Sequence, residues 1–261
     1  MTGKRRNRWL TDGWETGTMN GLIDIHSHTL PLVDDGAETV EMALLMLRTA
    51  AEEEIEKIIL TPHQKADRRC VTPEGILRRM EELQELAGKE NIPVRLYPGN
   101  EIFYRHGLAE LLEQGKIRTL ADSRYALIEF LPGEDYSYIR DALGRVASFG
   151  YWPILAHVER YTNVINRMDK AVGLKEDTGC YFQVNAASIT GEYGFTTKKV
   201  TRKLLREELV EFIATDAHRN EGKRSPKMKA CAEWVEKKMG REKAEKIFRR
   251  NPEAILADQM M

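Results

Sequence analysis

Leu22-Ile23-Asp24-Ile25-His26-Ser27-His28 is the stretch whose reading decides the fold. It is a short run rich in β-branched residues that ends in two imidazoles two positions apart. Side chains at i and i+2 of a strand leave the same face, so the end of this strand can present both imidazoles to one metal ion. Six more apolar, strand-like runs follow, over residues 57–61, 93–99, 125–131, 152–156, 181–185 and 210–215. Between them lie segments of helical period. Residues 37–54 put Val40, Ala43, Leu44, Leu47 and Ala51 on one face. Residues 73–86 open on Pro73 and align Ile76, Leu77, Met80 and Leu83. Further helices are expected over 108–112, 138–149, 161–172, 197–207, 225–239 and 241–258.

This alternation predicts a parallel sheet with its helices outside. No Gly-x-Gly-x-x-Gly follows the first strand, so a dinucleotide site has no support. No Pro/Gly/Ser-rich linker divides the chain. The expectation is one α/β domain over residues 21–261, a barrel-like βα repeat, preceded by a disordered extension over residues 1–20. The extension carries Lys4, Arg5, Arg6 and Arg8, but no apolar stretch follows them, so it does not read as a secretory signal.

The 261 residues carry 40 Lys+Arg against 41 Asp+Glu, a net charge of −1. That balance argues against a basic nucleic-acid-binding face. No run approaches the ~18–20 apolar residues of a membrane-spanning helix. Cys70, Cys180 and Cys231 are odd in number and widely spaced. They suggest neither a disulfide framework nor a zinc knuckle, and they suit a reducing cytoplasm. A cysteine-based phosphatase needs Arg six positions after its nucleophile; here those positions hold Ile76, Ala186 and Lys237.

The strand ends carry the chemistry, as expected where βα repeats converge on one face. In order they offer His26 and His28 with Asp34 and Asp35 soon after, then His63, Glu101, Glu129, His157 with Glu159 and Arg160, Asn185, and Asp216 with His218. Five of the six histidines fall at these ends; His106 does not and reads as structural. His with carboxylate and without Cys suits Mn, Fe, Zn or a mixed cluster. His26, His28, Asp35, His63, Glu101, Glu129, His157, Asp216 and His218 are more ligands than one ion takes, so two or three ions sharing bridging carboxylates is the natural reading. Three divalent ions outweigh the four carboxylates, and Arg160 adds positive charge, so the substrate is expected to be an anion such as phosphate.

Several neighbours have simpler readings. Asp34 reads as a cap for the helix near Ala37, and Glu159 as an ion-pair partner of Arg160. Asn185 and Ser188 read as supporting residues. Phe103 and Tyr104 read as packing, with stacking on a tyrosyl ring as the alternative. Glu129 in an apolar strand would be costly unless it were paired or metal-bound.

At these residues the chain resembles the polymerase and histidinol phosphatase (PHP) superfamily. Within it, the chain is similar to the manganese-dependent bacterial tyrosine-protein phosphatases of capsular and extracellular polysaccharide operons. The resemblance rests on Asp24-Ile25-His26-Ser27-His28, Asp34-Asp35-Gly36-Ala37, Thr61-Pro62-His63, Gly99-Asn100-Glu101-Ile102, residues 122–130, residues 156–161, Gln183-Val184-Asn185 and Thr215-Asp216-Ala217-His218, which occur in order. It implies a distorted (β/α)7 barrel of the PHP type holding three metal ions, with the nine residues above as ligands. It makes Arg160 a phosphate binder. A second family Arg matches Arg224 if one residue is inserted within 219–223, with Lys223 as competitor. Many members have His where this chain has Gln64, which is therefore not counted as a ligand. The implied cofactor is Mn2+, with Fe, Zn or Mg as alternatives. The implied substrate is the phosphotyrosine tail of a bacterial tyrosine kinase, met in the cytoplasm.

The reaction then expected is hydrolysis of a phosphotyrosine monoester by water that bound metal has activated, with charge stabilisation by Arg160. A PHP phosphoesterase acting on histidinol phosphate or another small monoester is the main alternative. A non-catalytic scaffold on the same fold would be expected to lack ligands, and all nine are present.

Overall fold

The computed structural model describes residues 21–64 and 71–261. The expected extension over 1–20, and Cys70, lie outside the described residues. Each of the seven apolar runs forms a strand: β1 (Leu22–Ser27), β2 (Ile55–Leu60), then, after the two-residue β3 (His63–Gln64), β4 (Arg95–Pro98), β5 (Glu101–Phe103), β6 (Tyr125–Glu129), β7 (Trp152–Leu155), β8 (Tyr181–Asn185) and β9 (Phe212–Ala214). Every pairing between them is parallel, in the orders β1-β2-β4 and β3-β5-β6-β7-β8-β9. The sheet curls until its last strand lies beside its first. Asp216 N donates to His26 O at 2.9 Å, and His28 N donates to Ala217 O at 2.8 Å.

Nine strands replace the seven expected because two runs break as they approach the site. Pro62 has no N–H to donate, and β3 resumes just beyond it. Asn100 interrupts the next run: its Nδ2 donates to Pro62 O at 2.9 Å, and its Oδ1 accepts from Arg118 N at 3.1 Å. The ladder then continues with His63 opposite Glu101 and Phe103 opposite Glu129.

Inward-facing side chains fill the space inside the strands. Ile23, Ile25, Ile59, Tyr125, Leu127, Ile154, Ala156, Phe212 and Ala214 form one buried apolar cluster, to which the last helix adds Ile255. The alternate residues, such as Ile58, Leu60, Ala126, Ile128, Phe182 and Val184, pack outward in a second cluster with the helices. This two-sided burial is why the strands read as nearly continuous apolar runs.

The helices depart from expectation mainly at their ends. The first spans Val40–Glu52, not 37–54, because Thr39 caps it: its Oγ1 accepts from Met42 N at 3.1 Å. Asp34 is therefore not that cap. The second runs Pro73–Lys89 behind the Thr72 cap. The helix expected over 161–172 is two, Thr162–Ile165 and Met168–Thr178. Residues 225–228 precede the helix Lys229–Met239, and the last expected helix is divided by a wide turn at Lys246–Arg250. Among the described residues no helix is long and apolar enough to cross a membrane.

Candidate metal centre

All nine expected ligands meet at the C-terminal ends of the strands. Their ligand atoms form three tight sets: His28 with Asp35, His63 and His218; His26 with His28, Glu101 and Asp216; and His63 with Glu101 and Glu129. Each pair of sets shares one residue, so the three form one cluster. His157 joins through Glu101, its Nε2 lying 2.7 Å from Oε1. His157 and Asp216 occupy left-handed backbone, with φ of 34° and 53°, an uncommon state for such residues.

The backbone at β1 explains the convergence. The register against β2 shifts between Asp24 and Ser27, so the strand leaves the apolar phase of Ile23 and Ile25 and turns His26 and His28 toward the opposing ligands. The loop carrying Asp35 folds back tightly. Gly36 N donates to Asp34 Oδ1 at 2.9 Å, and a Cβ at Gly36 would lie 2.0 Å from His28 O, so only glycine fits there. Arg219 ties this loop to the end of the chain's last strand: its Nη1 donates to Asp35 O, Gly36 O and His218 O at 2.7–2.8 Å.

Three imidazoles are fixed through Nδ1. His26 donates to Gln183 Oε1 at 3.2 Å, His28 to Asp34 Oδ2 at 2.7 Å and His218 to Asp216 O at 3.0 Å. In each ring this leaves Nε2 facing the cluster, the nitrogen that offers a lone pair once the ring is neutral. Gln183 Nε2 in turn donates to Asn185 Oδ1 at 2.8 Å, and Asn185 Nδ2 donates to Asp216 Oδ2 at 2.9 Å.

The electrostatics are those of ionised carboxylates set against buried imidazoles. Burial opposes charge on His28, but the Asp34 and Glu101 carboxylates prevail and push it up to about 9. His63 is pushed up to about 12 in the same way, burial being outweighed by Asp35, Glu101 and Glu129. His218 goes down to about 4, through burial and the neighbouring positive charge of His28. Burial would raise Glu101, yet His26 and His157 hold it well below the usual carboxylate range. These residues fit a metal on a separate count as well. Glu101 Oε2 and Glu129 Oε1 are buried and face ring nitrogens, with His63 Nδ1 at 3.0 and 2.9 Å, without making a well-formed hydrogen bond. His26 Nε2 and His28 Nε2 face each other at 3.3 Å. Carboxylate oxygens and ring nitrogens that converge in this way are the donor set a divalent cation satisfies.

Two arginines stand at the open edge, each a little over one-third exposed. Arg160 pairs with Asp216. Arg224 reaches His218 and Asp216, with Nη1 3.7 Å from Asp35, whereas Lys223 is exposed. Glu159 does not pair with Arg160 as expected: its Oε1 accepts from Asn185 N at 2.9 Å and Ser188 Oγ at 2.6 Å, fastening the segment after β8. Asp34 orients His28 and also accepts from His63 N at 3.0 Å. His106 is exposed and outside the cluster. Cys180 and Cys231 are buried, and burial pushes both thiols up, the reverse of an activated nucleophile.

Sequence reasoning missed Asp24, Gln183 and Arg219 as individual contributors. Asp24 is fully buried, and burial pushes its carboxyl up to about 6. It accepts from Thr215 Oγ1 at 2.5 Å and Thr215 N at 3.0 Å, joining the first and last strands just below the candidate ligands. A lone carboxylate in an apolar run was the available signal.

Residues 22–257 match the family model described as "Capsular polysaccharide synthesis, CpsB/CapC". The chain belongs to the CpsB/CapC family. Among its CpsB/CapC relatives, the tyrosine-protein phosphatase CpsB of Streptococcus pneumoniae is 34% identical, covering 92% of this chain and all of the relative. The tyrosine-protein phosphatase YwqE of Bacillus subtilis is 31% identical over 76% of this chain and 77% of its own length. A solved structure from work on YwqE and CpsB, described as unique metal-dependent tyrosine phosphatases, superposes with a TM-score of 0.86 at 29% identity, over 92% of this chain and 96% of that one. The curled parallel sheet shared with that structure is the barrel-like βα repeat that the strand pattern predicted.

Proposed function

We propose that this chain is a metal-dependent protein-tyrosine phosphatase of a capsular or extracellular polysaccharide system. The observation that carries the reading is the three interlocked ligand sets with two arginines at their open edge. We assign His26, His28, Asp35, His63, Glu101, Glu129, His157, Asp216 and His218 as ligands of three Mn2+ ions. Bound divalent ions lower the pKa of water and neutralise phosphoryl charge. The chain's own part is positioning and electrostatics. Arg160 and Arg224 exchange their present partners for the phosphoryl oxygens and hold the ester at the cluster. Asp34, Gln183 and Asn185 keep the imidazoles and Asp216 in place. The leaving phenolate, with a pKa of ~10, departs toward the open edge and needs little protonation. We take the substrate to be the tyrosine-rich tail of a bacterial tyrosine kinase, met in the cytoplasm; the family's link to capsule synthesis and the names of its members support this.

The test measures metal content and turnover on one purified sample. Chelation should abolish hydrolysis of a phosphotyrosine peptide, and Mn2+ should restore it better than Fe, Zn or Mg. Turnover that survives complete metal removal would sink the mechanism. A preference for histidinol phosphate over the peptide would move the chain to the alternative chemistry.

A further inference from the structure

The three ligand sets are not equally furnished. His26, His28, Glu101 and Asp216 include two carboxylates, and so does the set of His63, Glu101 and Glu129. All three of those carboxylates are buried. The outer set, His28, Asp35, His63 and His218, has one. It belongs to Asp35, whose side chain is 59% exposed and stands on the loop between β1 and the first helix. Glu101 and Glu129 are held by strand pairing, and Asp216 by its backbone bond to His26 O. Asp35 has neither burial nor a strand, so its place depends on the backbone of its loop. A ligand that must be ordered as the ion binds lowers affinity by the cost of ordering it.

Asp34 fixes that loop on its inner side, through His28, Gly36 N and His63 N. Arg219 fixes it on the outer side. Its Nη1 donates to Asp35 O at 2.7 Å, Gly36 O at 2.7 Å and His218 O at 2.8 Å. Its Nη2 lies 3.1 Å from Glu38 Oε1. The root of the side chain is held as well: Arg219 N donates to Arg224 O at 2.9 Å, beside His218 N at 2.8 Å. The guanidinium therefore brackets the backbone of Asp35 against the turn that carries His218. It is not a third arginine for the phosphoryl group, because its donors are directed at carbonyls and Glu38 rather than at the cluster. Its charge opposes the role assigned below. A guanidinium near a cation site repels the ion, so on charge alone its removal would tighten binding. A bracket predicts the reverse.

We propose that Arg219 is a positioning residue that sets the affinity of the outer ion, the one held by His28, Asp35, His63 and His218, by keeping Asp35 in ligand geometry. This rests on the metal-binding reading above. The experiment titrates Mn2+ into the full-length, metal-free protein against a chelating indicator and counts the ions bound. Arg219→Ala should weaken one ion of the complement by about tenfold and leave the tighter ones within about twofold. The Mn2+ concentration for half-maximal turnover should rise by the same factor. Arg219→Lys should recover most of the loss, since an ammonium can donate to the same carbonyls. Glu38→Gln should change affinity by less than about twofold, because it removes only an exposed ion pair. In an Asp35→Asn background, Arg219→Ala should cost less than about twofold more, since the ligand it positions is already lost. General loosening of the fold would instead weaken every ion, and would do so in both backgrounds. Arg219→Met keeps an apolar stem without the donors and carries the test if the alanine variant does not fold. Unchanged or tighter binding in the alanine or methionine variant, or equal weakening of all ions, would overturn the proposal. If the wild type itself binds no Mn2+, the underlying metal reading falls instead.

Discussion

The two halves of the barrel interior are built by the same strands and do opposite things. In the lower half the strands contribute Ile23, Ile59, Tyr125, Leu127, Ile154 and Phe212, an apolar plug. Two to four residues further along, they contribute His26, His63, Glu129, His157 and Asp216, joined by Glu101 from the adjacent run, nearly all of them buried. The plug gains free energy from burial, whereas the upper half spends it by crowding buried charge. The difference teaches that stability and chemistry are separated along the strand axis, so damage to one half should leave the other readable.

The largest effect expected is on the plug. Phe212 is fully buried and meets Tyr125 and Tyr181 edge-on at 6.3 and 6.1 Å. Phe212→Ala should cost about 3–5 kcal/mol of stability in denaturant titration, while the folded fraction keeps the metal content of the wild type. Loss of metal from fully folded protein would break the separation. Next comes Arg160→Ala, expected to cut turnover by about 10²–10³-fold, the scale of one charge-stabilising group, with metal retained. Metal lost along with turnover would show instead that Arg160 supports Asp216. Asp34→Asn, which removes the carboxylate that orients His28, should weaken metal binding by about 10- to 100-fold, read by titration with a chelating indicator.

The last effect is graded by pH, and each single pH unit changes it only modestly. His28 and His63 stand raised in the metal-free protein, at about 9 and about 12. Metal must displace their protons, so affinity should fall by about tenfold per pH unit for each proton displaced as pH drops from 8 to 6. The same shifts give the metal-free protein stability that is full below the ordinary imidazole value of 6.5 and is lost as pH rises through about 9 for His28. Flat metal affinity across this range would show that the cluster is not protonated as the ion-pair geometry implies.

The plug and the ligands were legible for different reasons. Parallel strands buried on both faces leave continuous apolar runs, so all seven were readable, and polar residues at the ends of such runs stood out against them. What was not legible depended on contacts distant in sequence. Asp34 looked like a helix cap because Asp near a helix start usually is one, yet its partners are His28 and the backbone of His63. Glu159 sits next to Arg160 in sequence but points to Asn185 and Ser188. The breaks at Pro62 and Asn100 were visible as residue types, but the side-chain bond that joins them is tertiary.

The closure of the sheet has one more consequence. His26 belongs to the first strand and Asp216 to the turn after the last, and they meet only because β9 docks beside β1. A chain still emerging from the ribosome, or one whose final strand has peeled away, holds one complete ligand set, His63 with Glu101 and Glu129, and only fragments of the other two. Capture of the full metal complement is therefore a late event in the life of each molecule. It amounts to a checkpoint: all three ligand sets exist together only in chains whose last strand has docked beside the first.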